Sequence, residues 1–328
     1  KVGRLDKHLI LLETVDKMNT KYILQARHKL LKDIRDFFYQ HGYIEVETPN
    51  LMKTAPPDPY IDPLEVFIEK SGPFYMHTSP EIYMKRLLCS DVDRIFQICK
   101  VYRVEELKEV HNTEFTMLEW YRKGTYEDAM KETEDLIKRC FFGYNGVLPN
   151  KFDVLDLEEL FFSETGINPF VLDRDEFYNL LKHRNFAGID EKDNWSSLFF
   201  KLFIQEVEKT LPIDKPYFIT GWPSSISTMA KRKGDVKVER FELYMNGLEI
   251  ANGYTELLDP VEQKARFISD NTEREMLGKK TFEIDEDFVE SLSTLEGSYA
   301  GVSLGVDRLL MIFMGKKTID EVLVHRVL

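Results

Sequence analysis

Hydrophobic positions recur at helical spacing between residues 22 and 40, where Leu24, Leu31, Ile34 and Phe38 predict one amphipathic helix that His41-Gly42 ends. Tyr43 to Thr48 then alternates as a half-buried strand, closed by Pro49. Residues 51 to 63 hold four prolines and two aspartates, which predicts an ordered loop. A second helix is expected over Pro80 to Cys89. Strands are expected near Arg94 to Ile98 and Glu114 to Trp120, with the charged segment Glu105 to Asn112 between them. From Tyr126 to Leu211 the chain reads as mainly helical, and Tyr217 to Thr220 as a strand.

The sharpest local signal is Asn246-Gly247 between two strand-like runs, Phe241 to Met245 and Leu248 to Ala251, which predicts a hairpin with a type I′ turn. In that hairpin Met245 faces Leu248, Tyr244 faces Glu249 and Glu242 faces Ala251, so Glu242 and Glu249 share one side of the sheet. Like charges that close are unfavourable unless a cation joins them. A pair of carboxylates suits Mg²⁺ completed by substrate phosphates, and a solvated acidic face is the plainer alternative. Strict alternation puts Asn252 and Glu256 on the side opposite Glu249. A bulge at Gly253 would bring them together.

Tyr299 to Leu304 is short and apolar, and Val306 to Met314 is dense in Leu, Ile, Met and Phe. Strands, hairpins and helices mixed along the chain predict an α+β fold with an antiparallel sheet flanked by helices, not a doubly wound parallel one.

Length and composition set the class. The 328 residues are 43% hydrophobic and 31% charged, enough for a large globular core. No apolar run is long enough to span a membrane, and Lys1 to Asp6 shows no secretory h-region, so export is not expected. Three cysteines without a C-x-x-C spacing exclude a disulfide framework and fit a cytoplasmic setting. The net charge of -13 argues against a large nucleic-acid footprint.

Two chemistries compete for Gly301-Val302-Ser303-Leu304-Gly305-Val306-Asp307-Arg308. As G-x-S-x-G it would make Ser303 a nucleophile, but too little chain follows to carry the Asp and His partners on later strands. The second dense cluster runs from Val101 to Tyr121. There Arg103 offers a fork for phosphate, Phe115 a ring to stack on a base, and Asn112 groups that match adenine's edge. A charged hairpin over an aromatic core stripe would have the same composition.

In chain order, the helix ending at Thr48-Pro49, the segment Arg103-Val104-Glu105 with His111 to Phe115 and Glu119, and Gly305-Val306-Asp307-Arg308 resemble the three motifs of class II aminoacyl-tRNA synthetases. The resemblance covers the chain from about Tyr22 onward. Ser79-Pro80-Glu81-Ile82-Tyr83-Met84-Lys85-Arg86-Leu87 and Glu249 to Leu257 are similar to lysine-type signatures.

The resemblance implies an N-terminal arm over residues 1–21 and one catalytic domain over 22–328, with the helical insertion at 126–211. It implies a homodimer through the motif 1 helix. It also implies ATP on Arg103, Glu105, His111, Asn112 and Phe115, and on Glu249, Ile250, Gly305 and Arg308. Arg103 and Arg308 act on the α-phosphate and the adenine, and Mg²⁺ sits on Glu242 and Glu249. A diamino acid lies among Ser79, Pro80, Glu81, Glu119, Tyr121, Asn252, Glu256 and Ser303.

Two departures narrow the resemblance. A lysyl-tRNA synthetase carries an N-terminal anticodon-binding barrel, for which residues 1–21 leave no room. Its motif 3 also has glycine where Ser303 stands. Both departures resemble the elongation factor P–(R)-β-lysine ligase family, as does Glu114-Phe115-Thr116-Met117-Leu118-Glu119-Trp120-Tyr121-Arg122. That family has alanine at the Ser303 position and Asn-Pro where Asn112-Thr113 stands. The expected activity is therefore ATP-dependent activation of (R)-β-lysine or lysine and its transfer to a lysine of elongation factor P, without tRNA. An enzyme activating α-lysine for tRNA or another amine, or a non-enzymatic paralog, are the other readings.

Overall fold

The computed structural model describes residues 3–69, 71–104, 109–141, 148–226 and 229–325, with side chains from residue 20 onward. Helix α1 (Gly3–Gln40) runs unbroken through the boundary expected at residue 21. Its buried stripe is Ile23, Ala26, Leu30, Ile34, Phe37 and Phe38. Leu24 faces solvent instead, because the burying face starts one residue earlier, at Ile23.

Strands β1 (Ile44–Glu45), β2 (Leu51–Met52), β3 (Glu65–Ile68) and β4 (Ser71–Met76) follow, then α2 (Glu81–Leu88), β5 (Arg94–Tyr102) and β6 (Glu114–Lys123). The middle of the chain forms α3 (Tyr126–Cys140), β7 (Asp153–Asp156), α4 (Leu157–Thr165), α5 (Arg174–His183), α6 (Trp195–Leu202) and β8 (Tyr217–Thr220). The remainder adds β9 (Arg232–Lys233), β10 (Lys237–Val238), β11 (Arg240–Met245), β12 (Leu248–Thr255), α7 (Pro260–Met276), α8 (Glu286–Ser291), β13 (Tyr299–Gly305) and α9 (Val306–Phe313).

An eight-stranded sheet carries the molecule, in the order β1-β5-β6-β13-β12-β11-β8-β7. Its six central strands are antiparallel, as expected for this α+β fold. The two edges are parallel: β1 pairs β5, and β7 pairs β8. The strand expected over Tyr43 to Thr48 shrinks to two paired residues, and the helical middle of the chain contributes β7, a true sheet strand. The hairpin β3–β4 had no counterpart in the sequence reading.

Alternation along the central strands separates two faces. Leu118 and Trp120, Val302 and Leu304, Ala251, and Phe241 and Leu243 form a buried apolar face with α1, α3 and α9. Their neighbours Glu119, Ser303, Asn252 and Glu242 point to the other side, where a cavity of about 590 Å³ opens. The core face also explains Gly253. A Cβ there would stand 2.7 Å from the Phe241 ring and 2.8 Å from Val302, so the glycine serves close packing and not a bulge.

The bulge lies elsewhere. Tyr244 pairs with Glu249 as expected, but Leu243 pairs with Ala251 and Glu242 with Asn252, leaving Ile250 as the extra residue. Both turn residues have positive φ, 53° at Asn246 and 72° at Gly247, as the type I′ turn requires. The one-residue insertion at Ile250 flips the parity of everything after it. Asn252 and Tyr254 thereby join Glu249 on the cavity side, which strict alternation forbids.

Candidate active site

The cavity floor is a row of residues across four strands. Glu119 on β6 pairs with Ser303 on β13, Ser303 with Asn252 on β12, and Asn252 with Glu242 on β11. A second row sets Tyr121 opposite Gly301, Gly301 opposite Tyr254, and Tyr254 opposite Arg240. Ser303 Oγ donates to the Asn252 carbonyl at 3.4 Å. Ser303 is thus a strand residue between an acid and an amide, not the apex of a nucleophile elbow.

One end of the cavity is acidic. Ser79 Oγ accepts from the Glu81 N–H at 3.0 Å, securing the start of α2, and donates to Glu119 Oε2 at 2.8 Å. Tyr121 Oη donates to the other Glu119 oxygen at 2.6 Å. Glu81 Oε1 accepts from the Tyr254 hydroxyl and, at 2.5 Å, from Lys85 Nζ. Burial, reinforced by the charge of Glu81, pushes the Glu119 carboxyl up to about 7.

Glu256 does not line this cavity. Its Oε1 stands 2.5 Å from where a Gly301 Cβ would be, and its Oε2 2.5 Å from Lys85 Nζ. Pro80 also stays behind the wall, as the residue preceding α2.

The other end is cationic. Arg103 Nε donates to the Thr78 carbonyl at 3.2 Å, and its guanidinium lies 5.3 Å from the Phe115 ring centre. Arg308, in the first turn of α9, donates through Nη1 to the Glu249 carbonyl at 2.9 Å. Its Nη2 meets His111 Nε2 at 2.8 Å. A guanidinium only donates, so Nε2 of His111 is the acceptor and its proton sits on Nδ1. The preceding residue, Asp307, anchors the turn: it accepts from the Thr116 N–H at 2.7 Å and pairs with Arg27 at 2.6 Å. Asn112, Ile250 and Gly305 line the same space. Glu105 falls outside the described residues.

Glu242 and Glu249 sit between the two ends. Arg240 Nη2 donates to Glu242 Oε1 at 2.5 Å and Tyr244 Oη to Oε2 at 2.9 Å. Burial, followed by the charge of Glu249, still pushes Glu242 up to about 8. A buried carboxylate and a half-buried one repelling each other fit a divalent cation that takes its remaining ligands from phosphates. No cluster of three or more His, Cys, Asp or Glu side chains suited to a metal occurs among the described residues. Asn252 gives its oxygen to Arg240 Nε at 3.0 Å, leaving its NH₂ group to offer donors.

Several cavity residues had no signal in the sequence. Phe200, from α6, and Phe203, Ile204 and Glu208 just beyond it form one wall, from a stretch legible only as helix. Asp58 and Ile61 contribute from the proline-rich loop, which the buried Arg274 on α7 holds through the Asp58 carbonyl at 2.6 Å and Asp62 at 2.7 Å. Lys85 did have a signal: its place four residues after Glu81 on one helix puts the two on one face.

The class II tRNA synthetase family (D, K and N) matches residues 4–326. The elongation factor P–(R)-β-lysine ligase of Histophilus somni (strain 2336) is 37% identical over 308 residues, covering 92% of this chain and 93% of that protein. The ligase of the same description from Baumannia cicadellinicola is 36% identical over 315 residues, with 93% and 94% covered. That from Haemophilus influenzae (strain Rd) is 37% identical over 305 residues, with 90% and 92% covered. The family match and the identity over nine-tenths of each chain agree: the chain belongs to the class II tRNA synthetase family and, within it, to the elongation factor P–(R)-β-lysine ligases.

Proposed function

We propose that this protein uses ATP to activate (R)-β-lysine as an aminoacyl-adenylate and passes the acyl group to a lysine side chain of elongation factor P. One observation carries the reading: a single cavity has carboxylates at one end and arginine forks at the other, joined by the row Glu119, Ser303, Asn252 and Glu242. The acidic end is complementary to two ammonium groups, and the arginines to a triphosphate. The names of the relatives supply (R)-β-lysine and elongation factor P.

Held between these ends, a carboxylate oxygen of the amino acid attacks the α-phosphorus. The new O–P bond forms as the bond to pyrophosphate breaks. In the second step the acceptor amine attacks the acyl carbon, loses a proton, and AMP departs. Neither step needs a protein nucleophile. Arg103 and Arg308 orient the phosphate and spread its charge as the pyrophosphate leaves. Mg²⁺ on Glu242 and Glu249 would neutralise charge on the departing phosphates.

Incubation with elongation factor P, Mg-ATP and (R)-β-lysine should add one β-lysyl group by intact mass. Unmodified acceptor after full turnover conditions would refute the transfer step.

The protein should also act as a homodimer in the cytoplasm. The exposed Tyr22, Tyr39 and Ile44 on and beside α1 support a paired surface, and sedimentation as a monomer at micromolar concentration would count against it. Cys89, Cys99 and Cys140 are free thiols, and no described helix is long and apolar enough to cross a membrane. With a net charge of -13, tRNA is not expected as an acceptor; efficient charging of purified tRNA at physiological salt would reverse that.

A further inference from the structure

Lys85 is the one residue at the acidic end whose charge the proposed chemistry does not use. Its side chain is fully buried, which is rare for lysine. Its ammonium donates to Glu81 Oε1 at 2.5 Å and to Met229 Sδ at 3.5 Å, and forms an ion pair with Glu256 Oε2 at 2.5 Å. Both Glu256 oxygens are buried without a hydrogen bond among the described residues, and the ion pair with Lys85 engages Oε2, not Oε1. Oε1 would stand 2.5 Å from a Cβ on Gly301, and Gly301 lies on the cavity floor. The Tyr121 ring and Glu256 Oε1 share the space a Cβ would take, so the glycine lets this buried oxygen, which no described residue hydrogen-bonds, approach the cavity floor.

We propose that Lys85 is a positioning residue for the substrate's distal amine: it ties down one oxygen of Glu256 so that the other faces the cavity across Gly301. A carboxylate with both oxygens loose would turn toward whichever donor it met. Anchored by one fixed ammonium, it offers a single oxygen in a single direction. An uncompensated carboxylate this deep would also be costly, and Lys85 offsets that cost.

Protonation fits the same geometry. Burial works against the charge on Lys85, but Glu256 and Glu81 outweigh it and hold its pKa above the ordinary value. Burial likewise pushes Glu256 up to about 8, against the pull of Lys85 and with the help of Glu81 and Glu119. The hydroxyls of Tyr121 and Tyr254 complete the set of titratable groups around it. An ammonium only donates, so Oε2, the oxygen in the ion pair with Lys85, stays bare and the proton Glu256 carries sits on Oε1. An incoming substrate ammonium displaces that proton. Affinity for the diamino acid should then weaken as pH falls below about 8.

This inference rests on the activation reading above, and ATP–pyrophosphate exchange separates the two. If the wild-type protein exchanges with no diamino acid, the activation reading fails. If it does exchange, Lys85→Met should raise KM for the diamino acid about 10- to 100-fold, the range expected for a lost charge-assisted contact. KM for ATP should stay within about twofold. The acid limb of the KM profile should move to higher pH by about one unit, because Glu256 loses its cation.

A merely structural lysine would leave that limb in place, so an unmoved limb or an unchanged diamino-acid KM overturns the proposal. Should Lys85→Met not fold, Lys85→Met/Glu256→Gln removes both charges. Its diamino-acid KM should match that of Glu256→Gln alone, since no carboxylate is left for Lys85 to hold. A further tenfold loss would give Lys85 a role independent of Glu256 and overturn the proposal equally.

Discussion

Arg308 Nη1 donates to the backbone carbonyl of Glu249 across 2.9 Å, so the arginine that opens α9 is fixed to the strand that carries a candidate metal ligand. The same guanidinium reaches His111 at 2.8 Å and the Val110 carbonyl at 3.4 Å. Planarity and five donors make that combination possible, and a lysine ammonium cannot reproduce it. Arg308→Lys should therefore lower kcat/KM for ATP by about 100-fold or more, the cost typical of losing a preorganised charge-stabilising donor. KM for the amino acid should change little. Steady-state exchange kinetics with each substrate varied would decide this, and an active Arg308→Lys would dissociate the residue from nucleotide chemistry.

Ser303 stands between Glu119 and Asn252 on the cavity floor, where under the proposed reading its hydroxymethyl group would fill space beside the substrate's amine-bearing carbons. Discrimination by a group of methyl size is worth about 1–3 kcal/mol. Ser303→Gly should raise activation of α-lysine relative to (R)-β-lysine, whereas Ser303→Ala should keep the β preference. Equal ratios of kcat/KM in the wild type and Ser303→Gly would remove this position from the specificity argument.

Gly301 should be intolerant of any side chain. A Cβ there would collide with the Tyr121 ring and stand 2.5 Å from Glu256 Oε1. Tyr121 is buried and bonded to Glu119, so it cannot swing clear. Gly301→Ala should abolish binding of the diamino acid while Mg-ATP still binds. Isothermal titration with each ligand would check it, and undiminished amino-acid binding would contradict the geometry.

The buried carboxyls also make ligand-free stability depend on pH. Glu119, pushed up to about 7, and Glu242 and Glu256, pushed up to about 8, hold protons in the folded protein at pH values where the unfolded chain has released them. Their contribution is full below the ordinary carboxylate range and is lost as pH rises through about 7 to 8. The Tm of the ligand-free protein should thus fall between pH 5 and about 8, and Mg-ATP should stabilise it more at the upper end. A Tm rising over that interval, once exposed groups are accounted for by Glu242→Gln, would be the contrary result.

How far the sequence disclosed this site depended on the range of the interactions. The Asn246-Gly247 turn is local chemistry, and its first two strand pairs came out in register. The bulge lies at Ile250 and not at Gly253, where the sequence only allows one, because a glycine in a strand has two causes, irregular backbone or close packing. Only the approach of Phe241 and Val302 separates them. The pairing of β6 with β13 joins residues more than a hundred positions apart, such as Glu119 and Ser303, which periodicity does not encode. The motifs point to these residues together only by resemblance to a family. Lys85 shows the limit of this route, since a motif carries a residue without saying what it touches.

ATP–pyrophosphate exchange, comparing (R)-β-lysine with α-lysine at equal concentration, tests the central claim most directly. The account predicts Mg²⁺-dependent exchange with (R)-β-lysine, weaker exchange with α-lysine, and loss of both in Arg308→Lys. Absence of exchange with either diamino acid, from protein that binds Mg-ATP, would contradict it.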